Sequence, residues 1–151
     1  MIADHIERET LIAAPAERVW SLLTEAEHLG SWFGDAGAEI DLREGGSLVL
    51  RWTEHGTSHG RVVAVEPHER FAFRWAPFKD PGGEEPIEGN STLVEFTLHR
   101  EGDATRLRVV ESGFASLATS EEQRADNHAG NTRGWAHEIG ELRDYAEQVA
   151  A

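Results

Sequence analysis

At 151 residues the chain has the length of one domain, with 39% hydrophobic residues to build a core. Fourteen Lys+Arg against 28 Asp+Glu give a formal charge of −14, opposite to what phosphate backbones or anionic bilayers demand, so neither nucleic acid nor membrane is an expected partner. The absence of cysteine excludes disulfides and thiolate chemistry, and there is neither a signal-peptide core nor a run of about 20 apolar residues; a single cytoplasmic domain over residues 1–151 is expected.

Residues 6–13 alternate as a strand whose Ile6, Arg8, Thr10 and Ile12 share one face. Pro15 suits a first helical turn, and Val19, Leu22, Leu23 and Ala26 mark the apolar side of the helix that follows. A second short helix is predicted from the capping-box spacing of Thr24 and Glu27 and from Leu29, Trp32 and Phe33, with Gly34 as its stop. The period then changes to two. Leu48, Leu50 and Trp52, then residues 60–66, then Phe71, Phe73 and Trp75, then Val94, Phe96 and Leu98, then Leu107 and Val109 read as the strands of an antiparallel meander with one buried face. Turn chemistry stands between them at Gly45-Gly46, His55-Gly56, Pro67-His68 and Gly102-Asp103. The loop over residues 76–91 holds three of the five prolines but is too central to separate two domains.

Ser120 and Gln123 offer a further capping box, and helical composition continues over residues 120–149, about 45 Å at 1.5 Å per residue. Trp135, Ile139, Leu142, Ala146 and Val149 form its apolar stripe. Gly134 and Gly140 interrupt it, each costing about 1 kcal/mol against alanine, which calls for a close backbone approach or for space left to a guest. An antiparallel sheet with one apolar face must bury that face, and only this helix is long enough to cover it.

The runs "APAERVWSLLTEAEHLGSWFG", "GRVVAVEPHERFAFRW", "TRLRVVESGF" and "GNTRGWAHEIGELRDY" resemble, in order and over nearly the whole chain, the START-like superfamily, in the branch named after the C-terminal domain of the activator of Hsp90 ATPase. The resemblance implies an α+β helix-grip fold: a seven-stranded antiparallel sheet curved around a long C-terminal helix, two short helices after strand 1, and a cavity that in relatives holds lipids, sterols or polyketides. It implies no reaction, because the superfamily includes carriers, cyclases and chaperone regulators.

Three groups of residues are candidates for a site. Trp52, Phe73, Trp75 and Phe96 on the inward register look toward Trp135 and Ile139 of the terminal helix, and either line an apolar pocket or simply fill a core; Trp32 and Phe33 are expected at its rim or gate. Arg8 and Glu111 share the inward register and meet if the first and last strands are neighbours, as the resemblance implies. A structural ion pair or a snorkelling arginine is the favoured reading, with orientation of a polar ligand end or proton transfer by Glu111 as the alternative. His55 and His59 are four apart beside Glu54, but in a hairpin and with no evident third ligand, so no metal is expected. His128 and His137, nine apart on the last helix, fall on opposite faces. Nucleotide, phosphate and hydrolase motifs are absent, and no cofactor is expected.

The leading functional reading is therefore a small-molecule binding protein for an apolar, aromatic or lipid-like ligand, favoured over catalysis. A cyclase or dehydratase acting on a polyketide-type substrate, with Glu111 as proton-transfer group and Arg8 holding an enolate or carboxylate, is the first alternative. A chaperone regulator is the second; none of the family's Hsp90 contacts carries over residue by residue, so Hsp90 is not the expected partner. A homodimer through Trp32, Phe33 and the 76–91 loop is left open.

Overall fold

The computed structural model describes residues 4–33, 36–53, 56–75, 91–117 and 120–150. Gly34, Glu54, His55 and residues 76–90 lie outside them, and with them the helix stop, the His55 turn, the His55/His59 pair and nearly all of the proline-rich loop.

Seven strands form one antiparallel sheet in the order β1-β7-β6-β5-β4-β3-β2. They are β1 (His5–Ile12), β2 (Ala38–Ile40), β3 (Ser47–Trp52), β4 (Gly56–Glu66), β5 (Arg70–Trp75), β6 (Thr92–Glu101) and β7 (Ala104–Ser112). From β3 to β7 each strand pairs with its sequence neighbour, a meander set by short turns, and β1 crosses to pair with β7. At Gly102 the β6–β7 turn takes φ +64°, open to glycine without strain. Gly46 is required for a different reason: a Cβ there would lie 2.0 Å from the Asp41 carbonyl oxygen.

Period two places Leu48, Leu50, Val62, Phe71, Phe73, Val94, Phe96, Leu107 and Val109 on the inward face, all buried. β2 has no counterpart in the alternation pattern, since three residues are too few to show a period.

α1 (Ala16–Thr24) follows Pro15, which stands just before the first turn in extended conformation. α2 (Ala26–His28) runs on into a π-helical turn, Leu29–Phe33. The capping box expected at its start does not form: the Thr24 hydroxyl donates back to the Trp20 carbonyl at 2.8 Å instead of capping the next helix. The π turn also corrects the expected rim positions. Trp32 and Phe33 are each only 4% exposed, their rings stack at 4.9 Å, and the Trp32 indole donates to the Leu22 carbonyl at 2.7 Å. Neither side chain can therefore form a dimer surface.

α3 (Glu121–Ala150) is the gripped helix. Ser120 Oγ accepts from the Gln123 N–H at 3.1 Å, so the predicted cap is present. His128 Nε2 at 3.0 Å from the His5 carbonyl, and the Ala13 N–H donating to Glu147 at 3.3 Å, fix α3 along β1 at both ends. Trp135, Ile139, Leu142 and Ala146 are buried against the sheet. A Cβ at Gly134 or Gly140 would meet no heavy atom within 4 Å, so close backbone approach does not explain either glycine.

Candidate functional site

Glu111 continues the inward register of β7 beyond Thr105, Leu107 and Val109, and its side chain is 0% exposed. A buried carboxylate costs several kcal/mol of desolvation unless its lone pairs are met, and here each oxygen is met. Oε1 accepts from the Trp135 indole at 2.8 Å and from the Asn131 amide at 3.0 Å. Oε2 accepts from the Trp75 indole at 2.8 Å, the Thr92 hydroxyl at 2.5 Å and the same Asn131 amide at 3.2 Å. All of these partners are neutral donors, the complement of an acceptor-only carboxylate. They come from β5, β6 and α3, so the group on β7 joins two neighbouring strands to the helix.

Around this polar point the aromatic side chains touch one another. Trp75 lies 5.9 Å from Trp135, and Phe33 lies 5.6 Å from Trp75 and 5.4 Å from Trp135, centroid to centroid. Trp52 meets Phe33 edge to face at 5.5 Å and donates its indole N–H to the Phe33 carbonyl at 2.8 Å. Phe96 meets Trp135 at 5.8 Å and Phe73 meets Trp75 at 5.5 Å. Offset and edge-to-face contacts of this kind are favourable for aromatic quadrupoles. Trp52, half-buried, is the most exposed member; the others are buried.

The inward placement of Trp52, Phe73, Trp75, Phe96, Trp135 and Ile139 thus agrees with the alternation, and Trp32 and Phe33 join the same cluster from within. Arg8 does not meet Glu111. In the β1–β7 ladder Ile6 stands opposite Glu111, while Arg8 is opposite Val109, one inward step away. Among the described residues Arg8 forms no ion pair, and its buried Nε has no hydrogen-bond partner. Thr92 and Asn131 were not singled out from the sequence, although a signal existed for each. Thr92 shares the 92, 94, 96, 98 register, and Asn131 lies one helical turn before Trp135.

Among the described residues no histidine is hydrogen-bonded to Glu111. His128 packs on Phe114 at 5.1 Å, His137 is exposed beside Glu141, and His28 shares a 2.7 Å hydrogen bond with Tyr145, tying α2 to α3. Among the described residues no group of three His, Asp or Glu side chains is arranged to hold a metal, and no helix is long and apolar enough to cross a membrane.

A seven-stranded antiparallel sheet packed on a long C-terminal helix is the architecture of the START-like class. A family model described as "Activator of Hsp90 ATPase homolog 1-like protein" matches residues 13–147, and the chain belongs to that family. A protein of Streptomyces halstedii named "Putative polyketide cyclase" is 40% identical over 62 residues, which are 40% of this chain and 57% of that protein. The chain thus spans little more than half the length of this relative. The crystal structure of DynU16, from the dynemicin biosynthetic locus, superposes with a TM-score of 0.76 at 24% identity, covering 98% of this chain and 49% of that one. The solution structure of the Aha1 dimer from Colwellia psychrerythraea gives a TM-score of 0.72 at 20% identity, covering 96% and 97%. At those identities the two structures attest the fold alone.

Proposed function

We propose that this protein binds a small, mostly apolar or aromatic molecule between its sheet and α3. Glu111 serves as the polar anchor, the Phe33, Trp52, Trp75 and Trp135 rings as near walls, and Trp32, Phe73, Phe96 and Ile139 as the layer behind them. The observation that carries this reading is Glu111: a carboxylate without solvent exposure, ringed by indole N–H groups from both sheet and helix. An apolar residue of similar volume would fill the same place without the several kcal/mol of desolvation, so a core serving stability alone has no need of the charge. The test is a thermal-shift and native mass-spectrometry screen with aromatic and lipid-like compounds. At least one class should give a saturable rise in Tm and a one-to-one complex. A panel that leaves Tm unchanged and shows only the bare chain would overturn the reading.

A second reading draws on the polyketide cyclase name of the Streptomyces relative, which shares part of this chain. On a polyketide-type substrate Glu111 would be the proton-transfer group, and a substrate hydroxyl or enol would replace one of its present donors at 2.6–3.2 Å, the usual reach for such transfer. A linear poly-β-keto thioester that is cyclised by the native protein, and bound but not turned over by Glu111→Gln, would favour catalysis. Binding without turnover by the native protein favours a carrier.

A further inference from the structure

Within the sheet, Arg8 and Glu111 are charged residues of the inward register that do not satisfy each other. The Glu111 oxygens are engaged by Trp75, Thr92, Asn131 and Trp135. Arg8, between Ile6 and Thr10 on the inward side of β1, is part-buried, and its Nε is shielded from solvent with no partner among the described residues. Three arginines of the outer face, by contrast, each meet at least one glutamate: Arg70, Arg106 and Arg108.

A guanidinium cannot shed its proton, and its planar fork of donors matches a planar carboxylate. Leaving one of its donors, Nε, shielded and unpaired costs folding free energy, which an anion supplied from outside would recover. The geometry points to Arg8 as the recognition group for the carboxylate, or chemically equivalent enolate, of the bound molecule, so that the ligand class is an apolar or aromatic organic acid whose ring system lies toward Trp135. This assignment rests on the binding reading above and narrows it.

The test uses 2-naphthoate and decanoate, each paired with its neutral primary amide, titrated calorimetrically into the native protein and into Arg8→Gln and Arg8→Lys. At least one acid should bind about 10- to 100-fold more tightly than its amide. Arg8→Gln should erase that preference by weakening the acid far more than the amide, and Arg8→Lys should keep part of it. Equal affinities of acid and amide, or a preference that survives in Arg8→Gln, would overturn the assignment while leaving the binding reading intact. No binding by any of the four compounds would count against both. A separate measurement needs no ligand: an unpaired arginine predicts that Arg8→Met raises the Tm of the free protein, whereas a fall would show that the guanidinium already has its partner.

Discussion

On the outer face of the sheet arginine meets glutamate across the strands, whereas on the inner face the carboxylate of Glu111 meets only neutral dipoles. Arg108 pairs with Glu7, Arg106 with Glu9 and Glu101, and Arg70 with Glu66 and Glu95 at 3.0 and 2.7 Å. These groups keep much of their contact with water, so their pairing is screened by salt and contributes little. Inside, no water compensates for a missing partner, and four protein side chains take its place around Glu111. The same residue types therefore carry different weight on the two faces: outside they are interchangeable, inside each donor is individually needed.

Removing the inner carboxylate should have the largest effect. Glu111→Ala strands the donors of Trp75, Thr92, Asn131 and Trp135, and a loss of about 3–5 kcal/mol is expected from urea denaturation. A loss below about 1 kcal/mol would mean that the network is incidental to folding. Trp135→Phe keeps most of the ring contacts but removes one donor to Glu111, and should cost about 1–2 kcal/mol by the same assay. Gly134→Ala runs the other way. With nothing within 4 Å of its added Cβ, it should stabilise by about 0.5–1 kcal/mol. A destabilised variant would show that the open position is not free.

The outer pairs should give the smallest effect. Arg108→Gln should lower the urea midpoint only slightly, and the difference should vanish in 1 M salt. Its pH dependence has a definite sign. The hydrogen bond from Arg108 holds the Glu7 carboxyl below its ordinary 4.5, and Arg100 does the same for Glu17. Both contributions are present in full above that ordinary value and are lost as pH falls through the lowered folded-state values. Native and Arg108→Gln proteins should thus differ at neutral pH and converge in acid; a gap that widens on acidification would contradict the pairing.

The fold was legible because period two and period 3.6 carry over many residues, as in Phe71-Phe73-Trp75 and Trp135-Ile139-Leu142. β2 was not, being too short for either period. The inward direction of Glu111 was equally legible, since alternation alone assigns a face. Its partners were not, because contacts between strands depend on register, and an offset of two residues put Ile6 rather than Arg8 opposite Glu111. Trp32 and Phe33 were misplaced for a local reason. Their π turn rotates both rings inward, and sequence spacing carries no mark of that extra residue per turn.

The central claim, that the aromatic interior around Glu111 receives a ligand, is tested most directly by the indole N–H resonances of Trp75 and Trp135 in ¹⁵N-labelled protein. Both protons point at Glu111, whereas Trp20 packs on His68 and Phe71 away from it. Titration with 2-naphthoate should shift the Trp75 and Trp135 signals together and saturably while leaving Trp20 in place. Signals that stay unmoved, or that all drift linearly without saturation, would contradict it.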